Sequence, residues 1–467
     1  MPFIGRVSEL SFLNELYGSD RPELYILYGR RRVGKTELLR EFCQGKRHVY
    51  FQAAQVSEDD NRRHLAAAIA EGLQEPLLAM ARFDDWETPL QELSRRARDD
   101  RLVVVLDEFP YLCDSAPGLP SLLQRFWDHN ARESRLLLAL CGSAISFMEN
   151  EVLAERSPLF GRRTGQQELL PFGFREAAQF VPRYGSEDRL RVFGILGGMP
   201  MYLTQFNDRV SLAQNVQAHI LRPQALLHEE PTNLLRGELR DPGTYHSILN
   251  AIASGLTRST EIAQRVGIAV TALGRYLPAL QELRLVRRVV SAGDRAPEKR
   301  ARGRYFLDDH FLRFWYRFVL PNRSLLEVGE GRRVWDERIA PQLDEYLGRV
   351  FEGVCAQYVR NHARERLPAL PIGRVGPFWH KEAEIDLVWH NDDGSTSCAE
   401  CKWTRAQMGE RELRDLQENA VALPAEWQRD LRYVLFSRAG FTEDLRRQED
   451  GNRLVLVGLE DIGGEER

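Results

Sequence analysis

The feature that most narrows the fold is a glycine-bounded loop between a strand and a helix. Tyr25-Ile26-Leu27-Tyr28 is a short apolar run, Gly29-Arg30-Arg31-Arg32-Val33-Gly34-Lys35-Thr36 follows it, and Glu37-Leu38-Leu39-Arg40-Glu41-Phe42 continues with helical spacing. This is the full G-x-x-x-x-G-K-T pattern in the strand, loop and helix order that it requires. Glycines at 29 and 34 let successive backbone N–H groups turn inward on phosphate oxygens, and the start of the helix adds a favourable dipole. Lys35 is placed to reach the β and γ phosphates, and Thr36 to hold Mg²⁺.

The surrounding pattern agrees with an α/β fold built on a parallel sheet. Up to about residue 235, short apolar runs alternate with helical stretches, and strands are predicted at 24–28, 48–51, 102–106, 136–140 and 168–170. The run at 102–106 ends in Asp107-Glu108. At the end of a strand, the first carboxylate can meet the Mg²⁺ shell and the second can polarise an attacking water. Ser143, after the next strand, has two readings: a sensor of the γ-phosphate, or the N-cap of a following helix. Arg162 and Arg163 lie in the loop Ser157-Pro158-Leu159-Phe160-Gly161-Arg162-Arg163-Thr164. Either can act as a finger that stabilises transition-state charge, which in trans would require a homo-oligomer; the plainer reading is a solvated or salt-bridged pair.

Composition sets bounds. The chain has 467 residues, enough for about three domains of ordinary size. Lys+Arg number 64 and Asp+Glu 68, a net charge of -4, so contact with a polyanion such as DNA must use a local patch. No apolar run is long enough to span a membrane, and the opening residues lack the regions of a secretory signal, so a cytoplasmic protein without a membrane partner is expected. Six scattered cysteines suit reduced thiols. Cys398 and Cys401 are close in sequence, but zinc would need His380 and His390 as further ligands; two thiols on a strand is the plainer reading.

The first 230 or so residues resemble the archaeal-type ATPases, a family among the AAA-like and STAND P-loop ATPases. The resemblance is carried by Phe3-Ile4-Gly5-Arg6 with Glu9-Leu10, the glycine loop, Asp107-Glu108, Pro158-Leu159-Phe160-Gly161-Arg162-Arg163, and Gly197-Gly198-Met199-Pro200 with Tyr202-Leu203. It implies that Phe3, Gly5 and Arg6 lie by an adenine and that Pro200 lies in a helical lid near the nucleotide. Together with Gly29, Arg30, Arg31, Arg32, Val33, Gly34, Lys35, Thr36, Glu37 and Ser143, these form the expected site for ATP or ADP. Such proteins often act as nucleotide-controlled switches. A lid over 173–236 and a winged helix-turn-helix over 237–320 are expected after the ATPase core of 1–172.

Within the second of these, Ser259 is a plausible N-cap, Gly267 supplies a turn, and apolar residues at 273, 276, 277, 280 and 283 form a helical stripe. A strand at 285–290 and Tyr305-Phe306-Leu307 flank a basic hairpin carrying Arg295, Lys299, Arg300, Arg302 and Arg304. One reading is DNA contact through phosphates; the other is a packing module that transmits nucleotide state.

Residues 335–467 carry a second constellation. Glu384-Ile385-Asp386-Leu387-Val388-Trp389 and Ser397-Cys398-Ala399-Glu400-Cys401-Lys402-Trp403 flank the turn signal Asn391-Asp392-Asp393-Gly394. Alternation places Glu400 and Lys402 on one strand face, Asp386 can face them, and Glu352 on an upstream helix can join. Two carboxylates and a lysine suit metal-assisted phosphodiester hydrolysis, with Asp386, Glu400 and Glu352 on Mg²⁺ or Mn²⁺ and Lys402 orienting the nucleophilic water. The pattern resembles the PD-(D/E)XK nuclease superfamily, in the form fused to archaeal-type ATPases, although Ile385 stands where the pattern has proline. Three outcomes stay open: an active nuclease, a nuclease-like domain without cleavage serving a regulatory scaffold, and a salt-bridged hairpin.

Overall fold

The structure, a computed structural model, describes residues 3–239, 241–294 and 303–464. It divides into two compact units, Met1–Pro171 and Phe172–Arg467. Among the described residues no helix is long and apolar enough to cross a membrane. The basic residues 295, 299, 300 and 302 lie outside the described residues.

In the first unit, β1 (Glu23–Tyr28), β2 (His48–Gln52), β3 (Leu102–Asp107), β4 (Leu136–Gly142) and β5 (Gly165–Glu168) form one sheet in the order β2-β3-β4-β1-β5. All of its pairings are parallel. β1, β3 and β4 are buried at every position, which is why they read as unbroken apolar runs rather than as alternation. Leu24, Ile26, Val104, Leu106, Leu138 and Leu140 pack against helix residues such as Leu65, Ile69, Leu93 and Leu123 in one core.

The last strand departs from the expectation of 168–170. Pairing runs from Tyr25↔Gly165 to Tyr28↔Glu168, and the apolar Leu169 lies just beyond it. An edge strand needs only backbone partners, so the polar Gly165-Gln166-Gln167-Glu168 suffices, while Leu169 is spent on burial at the strand's exit.

The second unit opens with helices, among them Ser186–Leu196, Glu230–Glu238, Pro242–Ala253, Ser259–Val266 and Leu273–Glu282. Ser259 is the first helical residue rather than the cap; the Glu261 carboxylate instead accepts the Arg258 N–H at 3.1 Å. β6 (Val286–Val289) and β7 (Arg304–Leu307) pair antiparallel, with Arg287 opposite Phe306. The short helices Arg323–Glu327 and Gly331–Val334 follow, with Leu326 and Val334 fully buried.

The long helix Leu343–His362 leads into β8 (Pro371–His380), β9 (Ala383–Asn391), β10 (Thr396–Lys402), β11 (Leu431–Ser437) and β12 (Leu454–Gly458). Their order is β12-β11-β10-β9-β8, antiparallel through β8-β9-β10 and parallel through β10-β11-β12. Gly394 at φ 86 makes the expected turn between β9 and β10, donating to Asn391 O at 3.1 Å.

Candidate functional site

The loop after β1 has the conformation its glycines allow. Gly29 adopts φ +149, and a Cβ there would lie 2.4 Å from the Leu169 carbonyl oxygen, so only glycine lets the loop pass beside the exit of β5. Gly34 (φ 94) precedes the helix Lys35–Cys43, whose start has no side-chain cap. Uncapped first-turn amides and an adjacent ammonium are what an anionic phosphate tail requires. Lys35 is 7% exposed and donates to Gly29 O (2.8 Å) and Arg30 O (3.0 Å). It therefore spans the mouth of the loop.

Around this loop the expected residues fall into two groups. Thr36 Oγ1 donates to Asp107 Oδ2 at 2.9 Å, which brings together the two Mg²⁺ candidates from the helix Lys35–Cys43 and the end of β3. Glu108 sits at φ 53, a conformation few side-chain-bearing residues adopt, and its Oε2 accepts from Ser143 Oγ at 2.9 Å. Ser143 is not a helix N-cap: Ala144 precedes Ile145–Phe147, and no side chain caps that helix. Arg6, 4% exposed, donates to Glu9 (3.1 Å) and to Val33 O (3.0 Å), tying the segment with Phe3 and Gly5 to the loop. Val33 and Arg30 are buried, and Arg31 donates to Tyr111 OH at 2.8 Å. Arg32 is exposed at φ 70.

Glu37 and the two finger candidates are placed otherwise. Glu37 faces solvent, 4.0 Å from Arg40. Arg162 is bound to Asp128 through Nε (3.0 Å) and Nη2 (2.8 Å), and Arg163 donates to Leu153 O at 2.9 Å while lying 5.2 Å over the Phe160 ring. The ion-paired reading thus describes Arg162, because a carboxylate one helix away satisfies the guanidinium. Pro200 begins the short helix Pro200–Leu203 in the second unit. Gly198 beside it lies against the Phe172 backbone, where a Cβ would sit 1.8 Å from the carbonyl oxygen.

Sequence reasoning missed Tyr50. From β2 its OH donates to Asp107 Oδ2 at 2.8 Å, and burial, then the neighbouring Asp107 charge, pushes its phenol upward. Only the pairing of β2 with β3 brings it there.

The second constellation assembles inside the C-terminal sheet. Asp386 Oδ2 accepts the Cys401 N–H at 2.8 Å, and Lys402 Nζ is ion-paired with Glu400. Burial drives the Asp386 carboxyl well above its ordinary value, and Glu400 and then Glu352 add to the effect. Burial also raises Glu352, against the pull of Arg349 and Arg313. Burial alone would depress Lys402, but Glu400 and Asp386 outweigh it and hold its ammonium above the usual value. The four groups are therefore neighbours, and each keeps partial access to solvent.

Among the described residues no three His, Cys, Asp or Glu side chains are gathered closely enough to hold a metal ion as they stand. Glu400 and Glu352 each repel Asp386, and Glu400 is turned onto Lys402. Their oxygen donors suit a hard divalent cation, which would offset that repulsion. Cys398 and Cys401, three apart on β10, point to opposite faces and are both buried free thiols.

Sheet order, loop and carboxylates together define a P-loop ATPase. A family model described as an ATPase domain predominantly from Archaea matches residues 3–206, and one described as archaeal and bacterial proteins of unknown function matches 315–415. An uncharacterized protein of Methanocaldococcus jannaschii is 32% identical over 404 residues, 86% of this chain and 87% of its own. The chain belongs to this predominantly archaeal ATPase family. A shorter uncharacterized ATP-binding protein of the same organism is 47% identical over 45 residues, 10% of this chain and 76% of its own. The Walker-type ATPase of Pyrococcus abyssi shares the fold with a TM-score of 0.52 at 20% identity, covering 68% of this chain and 96% of that one.

Proposed function

We propose that this ATPase is a nucleotide-controlled switch whose C-terminal sheet carries a metal-dependent phosphodiesterase site acting on nucleic acid, with DNA as substrate. In the P-loop site, Lys35 and the first-turn amides would hold the phosphates, and Thr36 and Asp107 would provide oxygen ligands for Mg²⁺. Glu108, oriented by Ser143, polarises the attacking water. Arg162 acts as a finger only after release from Asp128.

The observation that carries the C-terminal reading is the meeting of Glu352, Asp386, Glu400 and Lys402 from one helix and two paired strands. Asp386, Glu400 and Glu352 would hold Mg²⁺ or Mn²⁺, which supplies a Lewis acid and an activated water when bound. Lys402 would orient the nucleophilic water and steady charge developing on the phosphate. Ion pairing of Lys402 with Glu400 favours the second reading, a scaffold with an inactive nuclease-like domain.

Wild type and Asp386→Ala distinguish them in paired assays: ATP hydrolysis with and without DNA, and cleavage of single- and double-stranded DNA with Mn²⁺. Cleavage lost in Asp386→Ala while ATP hydrolysis persists supports the phosphodiesterase. No cleavage by wild type, with hydrolysis indifferent to DNA, supports the scaffold.

A further inference from the structure

The hairpin formed by β6 and β7 turns one face toward the C-terminal site. Residues directly opposite in an antiparallel pair share a face, so Arg287 and Phe306 stand together, and Arg304 joins them by alternation. Arg349 of the long helix lies 5.3 Å over the Phe306 ring, and Arg304 lies 4.3 Å over Trp379 and 3.7 Å from Glu384, two residues before Asp386. On the long helix, Arg349, Glu352 and Arg360 recur along one side.

Five guanidiniums from four segments follow one another here. Arg374 donates to Val290 O (2.6 Å) and Arg360 to Val375 O (2.7 Å), joining β8, the long helix and the end of the hairpin. Arg374 and Arg287 each repel Arg360, and Arg287 and Arg349 repel Arg313, which is packed 4.8 Å over the Tyr346 ring. Among the described residues the acids facing this row include Glu352 and Asp308, the latter 3.5 Å from Arg287, and Glu384 lies beside Arg304. With Arg304 included, six cations against these three carboxylates leave net positive charge beside the acidic constellation. Mutual repulsion along such a row is relieved when an anion joins it.

Resting on the reading of that site as one acting on nucleic acid, we propose that Arg374, Arg360, Arg287, Arg313 and Arg349 form a track for the phosphodiester backbone of a nucleic-acid strand, so that the hairpin belongs to the C-terminal site. The track contacts phosphates and carries no base readout. It leads the strand past Glu352 to Asp386 and Glu400.

The test uses the full chain with EDTA, so that binding is read without cleavage. Anisotropy of a fluorescein-labelled single-stranded oligodeoxynucleotide is measured over a range of salt concentrations for wild type, Arg287→Gln/Arg349→Gln and Arg447→Gln. Arg287 and Arg349 are exposed, and an unchanged urea-unfolding profile confirms folding. The double variant is expected to bind about tenfold or more weakly, with a log–log salt slope shallower by about one to two, while Arg447→Gln matches wild type. A double variant with wild-type affinity and slope overturns the track, whether or not Asp386-dependent cleavage is found. Weakened binding in a protein that cuts nothing keeps the track and removes only the hydrolytic reading.

Discussion

Replacing Gly29 by alanine tests whether the exit of β5 sets the position of the phosphate loop. The added Cβ would lie 2.4 Å from the Leu169 carbonyl oxygen, whereas real Cβ contacts essentially never fall below 3.0 Å, so loop and strand must part by about 0.6 Å. The obstacle is backbone, which no rotamer change relieves. A displacement of about 1 Å at a reacting group can cost about a hundredfold in rate, so Gly29→Ala is expected to lower kcat/KM for ATP by about tenfold to a hundredfold. Its φ of +149 adds about 1–3 kcal/mol of strain. Gly45→Ala is the control: it too has positive φ, +70, but its Cβ meets nothing within 4 Å. That variant should lose about 1 kcal/mol of stability and no activity. Steady-state ATP hydrolysis and urea unfolding read both effects. A Gly29→Ala protein within threefold of wild type in kcat/KM refutes the reasoning.

Three further outcomes follow from the same geometry. Ser143→Ala removes a hydrogen bond to a carboxylate, worth about 1.5–3 kcal/mol, and ATP turnover should fall about tenfold or more with little change in KM; a faster enzyme would mean that Ser143 restrains Glu108. Thr36→Val loses the bond to Asp107 and should raise the Mg²⁺ concentration for half-maximal hydrolysis about tenfold, read by metal titration. Arg438, whose side chain is 5% exposed, bridges Glu187 (2.6 Å) and Asp344 (3.1 Å), so Arg438→Met should cost about 1–3 kcal/mol in urea unfolding at pH 7. Arg438 holds the Glu187 carboxyl below its ordinary value; burial would raise Asp344, but Arg438 and Arg191 outweigh it. Carboxyls depressed in this way add stability that is complete above their unfolded values of about 4 to 4.5 and is lost as pH falls from there through their lowered folded values. The variant's acid limb should therefore be flatter, and identical limbs would contradict the assignment.

Where function depends on neighbours in sequence, the residues were legible. The glycine loop, the carboxylates ending β3 and the Asn-Asp-Asp-Gly turn each encode their conformation locally, through glycine's access to positive φ, apolar runs and turn chemistry. Likewise, alternation on β10 sufficed to put Glu400 beside Lys402.

Partners that meet across elements were not legible, because no local pattern records sheet order or helix docking. The order β2-β3 brought Tyr50 to Asp107, and the helix ending at His129 brought Asp128 to Arg162. An edge position allowed a polar β5 where apolar residues were expected. Arg349 and Glu352 show their shared helix face in sequence, but packing alone set that face opposite Phe306 and Arg287. Local chemistry thus determined the phosphate loop and its class of ligand. Tertiary packing decided which charges surround it and which surround the C-terminal carboxylates, since Coulomb energies depend on distances in space that chain separation does not fix.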